Sequence, residues 1–238
     1  MFLTIDIGNT RPKAALFDAD EMVRCGLFDD SFPISDVDAV AVCATAPYPQ
    51  LEDLLPHGVP VHRLDSSTPL PVTIHYSTPG TLGPDRMAAV CAAHYLYQGQ
   101  GCLIVDAGTC VTIDYLSPQG VFEGGLIMPG LAMRFKALHT FTAKLPLIEC
   151  DSERLRSSAQ QLLGDSTTQC ITSGVVNGMC GEVGGLVADI CATHIVHRLL
   201  FTGGDAQWLA DTLYACPLRP TYLPYLTLIG LNAIFGRK

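Results

Sequence analysis

At 238 residues and a formal net charge of −9, with no basic run, the chain lacks the clustered Lys and Arg that a nucleic-acid groove requires. It is 48% hydrophobic and only 16% charged, below the ~25% usual for globular chains, so much of its surface should be buried, part of it against a second subunit. The first apolar stretch breaks at Asp6 without a charged leader, and no run approaches the ~18 uninterrupted apolar residues of a membrane span, so the expectation is a cytoplasmic protein with no membrane partner.

Taken in chain order, residues 1–6, 13–18, 22–27, 38–44 and 59–64 read as strands. A Pro/Ser-rich loop at 66–71 and a short strand at 72–75 follow. Pro84 then suits the first turn of a helix reaching about Tyr97, where Gln98-Gly99-Gln100-Gly101 stops it. Strands at 102–106, 111–116 and 121–128 restart the pattern, with a helix expected over 130–142. A long helix is expected after Ser166, since Ile171, Val175, Met179, Val183 and Val187 recur every four residues. The same stretch carries Gly174, Gly178, Gly181, Gly184 and Gly185. Interior helical glycine costs about 1 kcal/mol each against alanine, so another backbone is expected to pack close to this helix. A strand at 198–202, a helix at 206–213 and a terminal helix from Leu226 complete the reading. The ten cysteines contain no C-x-x-C pair and read as reduced thiols; His194 and His197 read as packing or surface residues.

One phrase occurs twice. Leu3-Thr4-Ile5-Asp6-Ile7-Gly8-Asn9-Thr10 returns one hundred residues later as Leu103-Ile104-Val105-Asp106-Ala107-Gly108-Thr109-Cys110. In each copy an apolar strand ends in Asp, then Gly, then a threonine hydroxyl. Such a turn presents a carboxylate, freed backbone N–H groups and a hydroxyl to a phosphate. Strand meander then helix, repeated with a shared motif, indicates an α/β fold. The expected fold is the duplicated ribonuclease-H-like architecture of the actin, hexokinase and acetate-kinase group, with two related domains and mixed sheets around a nucleotide cleft. The expected division is 1–100 for the N-terminal domain and 101–238 for the C-terminal one.

Four segments carry candidate chemistry. The turn Asp6-Ile7-Gly8-Asn9-Thr10-Arg11-Pro12-Lys13 combines acid, amide, hydroxyl and cation, the residue types that position and neutralise a transferring phosphoryl group. Thr78-Pro79-Gly80-Thr81-Leu82-Gly83-Pro84-Asp85-Arg86 places a carboxylate and an arginine at a helix start. That pairing suits either an acid stabilised by the helix dipole or a general base beside a carboxylate-gripping arginine. Gly124-Gly125-Leu126-Ile127-Met128-Pro129-Gly130 and Thr202-Gly203-Gly204-Asp205 are glycine-bearing strand-to-helix turns.

Together with Thr142-Ala143-Lys144-Leu145-Pro146 and Gly164-Asp165-Ser166-Thr167, these motifs resemble the type III pantothenate kinases over almost the whole chain. The resemblance implies ATP-dependent phosphorylation of pantothenate to 4'-phosphopantothenate, the first step of coenzyme A biosynthesis. It also implies Mg2+ or another divalent cation, K+ or NH4+, and a homodimer. By the same resemblance Asp6, Ile7, Gly8, Asn9, Thr10, Arg11, Pro12, Lys13 and Thr109 contact ATP, with Asp6 also a carboxylate for the divalent metal through water. Asp85 is the catalytic base, and Tyr76, Gly83, Pro84, Asp85, Arg86 and Thr167 contact pantothenate, with Thr168 an alternative to Thr167. Asp106 is the monovalent-cation ligand. Pro84 stands where relatives often carry an aliphatic or small residue, and stiffens the turn. The alternatives are a regulatory accessory factor on the same scaffold, or another small-molecule kinase of the superfamily; intact Asp6, Asp85, Arg86 and Asp106 weigh against the first.

Overall fold

The computed structural model describes residues 1–34, 36–55, 58–149, 162–213 and 216–236. The chain forms two compact units. One gathers Met1–Cys102, Asp114–Gly124 and Tyr225–Lys238; the other gathers Leu103–Ile113 and Gly125–Pro224.

The first unit is built on β1 (Phe2–Ile7), β2 (Lys13–Asp18), β3 (Glu21–Leu27), β4 (Ala39–Ala44) and β5 (Val61–Arg63), in the order β3-β2-β1-β4-β5. β1, β2 and β3 pair antiparallel, while β4 and β5 continue parallel from β1. β1 and β4 are buried on both faces, which is why they read as near-continuous apolar runs. Leu3, Ile5, Ile7, Val40 and Val42 join Phe28, Phe32, Leu51 and Leu55 in one core cluster. Leu51 belongs to a four-residue helix, α1 (Leu51–Leu54).

Helix α2 (Pro84–Leu96) opens with Pro84 in its first turn, where a missing N–H costs nothing. Its residues Arg86 to Ala93 are all buried. The terminal helix, numbered α6 (Leu226–Phe235), lies so close to α2 that a Cβ at Gly230 would stand 1.9 Å from the Ala88 carbonyl oxygen. Asn232 Nδ2 ties the same helix to the Ala19 carbonyl at 3.0 Å. The expected split at residue 100 is drawn along chain order; the compact units interleave, with Asp114–Gly124 and the last helix joining the first unit.

The second sheet has the order β11-β10-β7-β8-β9-β6. Its strands are β6 (Thr73–Ile74), β7 (Cys102–Ala107), β8 (Cys110–Leu116), β9 (Val121–Pro129), β10 (Arg198–Thr202) and β11 (Pro220–Tyr222). Numbered within each repeat, β9-β8-β7-β10-β11 reproduces the 3-2-1-4-5 order of the first sheet, and β10–β11 is parallel as β4–β5 is. This duplication is the ribonuclease-H-like, actin-like architecture that the repeated phrase indicates.

The second unit adds α3 (Leu131–Thr140), α4 (Thr167–Thr193) and α5 (Ala206–Thr212). Ser166 caps α4 by accepting from Gln169 N, and the helix runs unbroken through its glycines. Ile171, Val175, Met179, Val183 and Val187 are buried, as their spacing requires. Gly174, Gly178, Gly181 and Gly185 instead face open space: among the described residues, nothing beyond the helix's own backbone lies within 4 Å of where a Cβ would stand. The close-packed backbone expected beside them is therefore not supplied by the described residues of the same chain. By length and composition α4 could cross a membrane, although Asn177 and Glu182 interrupt its apolar run; its row of large apolar residues is spent on the interior.

Candidate active site

Asp6 ends β1 at the point where the chain turns. In register its neighbours are Lys13 on β2 and Cys43 on β4. Asn9, Thr10 and Arg11 are exposed between the two strands, leaving the turn open to a ligand. The Lys13 ammonium lies 5.9 Å over the ring of Tyr225, which opens α6 in the left-handed conformation at φ 64°. A non-glycine residue there is strained, and such strain collects at functional sites. Burial pushes the Cys43 thiol well above its ordinary pKa, and the charges of Asp6 and Asp85 push it further the same way. Both carboxylates thus bear on one buried thiol.

Asp85 and Arg86 stand in the first turn of α2, after Gly83 at the cap. The Asp85 carboxylate folds back over Gly83, where an added Cβ would stand 2.4 Å from Oδ1, and Oδ1 accepts the Arg86 N–H at 2.9 Å. The Arg86 side chain turns the other way. Its Nε donates to both oxygens of Asp114 on β8, at 2.9 and 3.1 Å, and its Nη2 also meets Oδ1. Both side chains are buried, 7% and 2% exposed. The guanidinium lies 5.9 Å from the ring centre of Tyr76 and 5.6 Å from that of Phe122. Burial lowers the arginine pKa, but Asp114 and then Tyr76 more than offset it, so Arg86 stays charged. Two of the Arg86 donors, Nε and Nη2, are thus engaged by a carboxylate of the chain itself.

In the second unit Asp106 ends β7 as Asp6 ends β1, and Asp205 N donates to the Ala107 carbonyl at 2.9 Å just as Thr45 N donates to Ile7. Gly203 lies against this strand end at φ 99°, where a Cβ would stand 2.4 Å from Asp106 Oδ1 and 2.3 Å from the Ala107 carbonyl oxygen. Only glycine tolerates both the conformation and the contact. Gly130 packs on the Gly108-Thr109 turn in the same manner, 2.1 Å from the Gly108 carbonyl oxygen at a built Cβ. Burial raises the Asp205 carboxyl above its usual range. The oxygens of Asp106 and Ala107, against which only a glycine fits, are hard donors of the kind that suit an alkali cation. Among the described residues no cluster of three His, Cys, Asp or Glu could hold a metal, so a cation here would complete its shell with oxygens of other kinds. Thr167 and Thr168 are both exposed in the first turn of α4.

Three residues at the site carry no motif in the sequence: Cys43, Asp114 and Tyr225. Asp114 has a signal of another kind, being an acid inside the apolar strand Val111–Leu116, where an unpaired charge would be costly.

A family model described as type III pantothenate kinase matches residues 26–189. A type III pantothenate kinase of Bacteroides fragilis is 39% identical over 252 aligned positions, covering 99% of this chain and 98% of that protein. Another from Flavobacterium psychrophilum is 34% identical, covering 90% of each. Among solved structures, a conserved Baf-family protein of Campylobacter jejuni superposes with a TM-score of 0.62 at 21% identity, over 98% of this chain and 97% of that one, a likeness of fold. With the motif residues in place on a duplicated α/β scaffold, the chain belongs to the type III pantothenate kinase family.

Proposed function

We infer that the protein transfers the γ-phosphoryl group of ATP to the primary hydroxyl of pantothenate, giving ADP and 4'-phosphopantothenate, the first step of coenzyme A biosynthesis. What carries this reading is homology to a type III pantothenate kinase over 99% of the chain, with Asp6 beside Cys43 at the end of β1 and Asp85 in the first turn of α2, both in the first unit.

In this mechanism Asp85 takes the hydroxyl proton as the oxygen attacks the γ-phosphorus and the bond to the ADP oxygen breaks. Its carboxylate is held by the Arg86 N–H and faces Gly83, which leaves it room. Gly8, Asn9 and Thr10 offer backbone and side-chain donors to the phosphates. Lys13, steadied over Tyr225, adds positive charge. A divalent metal held with Asp6 through water, and K+ or NH4+ at Asp106, would supply charge against the triphosphate. Tyr76, Gly83, Pro84 and Arg86, all of the first unit, contact pantothenate.

The working form is a cytoplasmic homodimer, its contact on the open glycine face of α4. Exposed Met133 and Phe141 add apolar surface on the same unit. Measuring ADP release by the purified protein with ATP and pantothenate, with and without K+, tests the reading. Release that requires pantothenate supports it; ATP turnover indifferent to pantothenate removes it.

A further inference from the structure

We propose that Asp114 is a positioning residue for this reaction: it pins the Arg86 guanidinium and, through the Arg86 backbone, fixes the first turn of α2 that carries Asp85. The inference rests on the reading above, in which Asp85 is the base.

The geometry is over-determined at Arg86. Asp114 is 1% exposed on β8 and engages the Nε and Nη2 side of the guanidinium in a two-oxygen grip. Tyr76 and Phe122 close on the same group, their ring centres 6.0 Å apart and their planes tilted by 36°. Backbone pairing sets that aromatic pair, since Ile74 is in register with Phe122 and His75 N donates to the Phe122 carbonyl at 2.9 Å. Two strands, β8 and β9, and the segment that follows β6 thus converge on one arginine at a helix start.

A buried ion pair is a poor device for stability, because desolvating both charges offsets most of their attraction, and apolar residues of like size often serve as well. What such a pair supplies is a fixed direction. Here the direction reaches the chemistry: the Arg86 N–H holds Asp85 Oδ1 at 2.9 Å, one residue from the anchored side chain. A shift of about 1 Å in a catalytic group can cost roughly a hundredfold in rate.

The test is a kinetic cycle on the full chain, run at a temperature where melting curves show every variant folded. Its members are wild type, Asp114→Asn, Asp114→Glu, Arg86→Leu and the double variant Arg86→Leu/Asp114→Leu, which replaces the pair by apolar residues. Expected are a loss of tenfold or more in kcat/KM for pantothenate in both single Asp114 variants and an ATP KM within twofold of wild type. The double variant should be no worse than Arg86→Leu alone, since Asp114 acts through Arg86. Wild-type kcat/KM in a folded Asp114→Asn or Asp114→Glu protein overturns the proposal. So does a further tenfold loss in the double variant relative to Arg86→Leu, which serves as the deciding comparison if the single Asp114 variants do not fold. Wild type that fails to phosphorylate pantothenate overturns the functional reading itself; active wild type with unaffected Asp114 variants overturns only the positioning role.

Discussion

Gly83 and Asp85 cannot both carry a side chain in their present positions: a Cβ at residue 83 would lie 2.4 Å from Asp85 Oδ1. The clash is with the far end of a short side chain, not with backbone, so an added methyl group displaces the carboxylate without opening the fold. Gly83→Ala should therefore melt close to wild type and lose turnover, by tenfold or more on the scale of misplaced catalytic groups. Thermal melts beside steady-state rates make the comparison. Normal turnover in the alanine variant would mean that the carboxylate does not need the place it holds.

Gly230 presents the opposite case. Its built Cβ would stand 1.9 Å from the Ala88 carbonyl oxygen and 2.5 Å from the Ala88 carbonyl carbon, both backbone atoms of α2. Helices α2 and α6 must separate to admit even one methyl, and overpacking of this kind costs about 1–3 kcal/mol. Urea unfolding of Gly230→Ala should show that loss, with a lowered midpoint. An unchanged midpoint would show that α6 is not held against α2 as described.

The proposed monovalent-cation site lies at Asp106 and the Ala107 carbonyl, beside Gly203. Turnover should rise when K+ or NH4+ replaces Na+ at constant ionic strength, and Asp106→Asn should abolish that dependence along with most activity. Equal rates in Na+ and K+ buffers would take the cation out of the account.

The glycine face of α4 is open, with no other described residue within 4 Å of where a Cβ would stand. Gly178→Leu should then leave the monomer fold intact, disrupt the dimer, and weaken pantothenate binding together with it, as Thr167 opens the same helix. Sedimentation and pantothenate titration measure the two effects. Wild-type protein that is monomeric at micromolar concentration and fully active would contradict the dimer.

Much of the fold and of the site is legible in the amino-acid sequence alone. The Asp-x-Gly phrase at Asp6 and Asp106 announces a duplicated sheet, because strand-end chemistry is local and survives as a sequence pattern. The four-residue row from Ile171 to Val187 places the inner face of α4 for the same reason. What escapes is tertiary. That the last helix belongs with the first unit depends on Gly230 meeting Ala88, 142 positions earlier in the chain, and no local pattern records it. β11 is only three residues long, too short for a period-two pattern to mark it. The α4 glycines announce a close neighbour without saying whose, and the described part of the chain leaves their face open. The Arg86–Asp114 pair escapes for the same reason, since its two members lie 28 residues apart on different elements.

The central claim is that Asp85 moves the proton of the pantothenate hydroxyl. Pre-steady-state and steady-state rates of Asp85→Asn, measured beside its ATP affinity, test it most directly. The account predicts a fall of about 10²–10⁴ in turnover, the usual cost of losing a general base, with ATP binding unchanged. Turnover within threefold of wild type in a folded Asp85→Asn protein would contradict it.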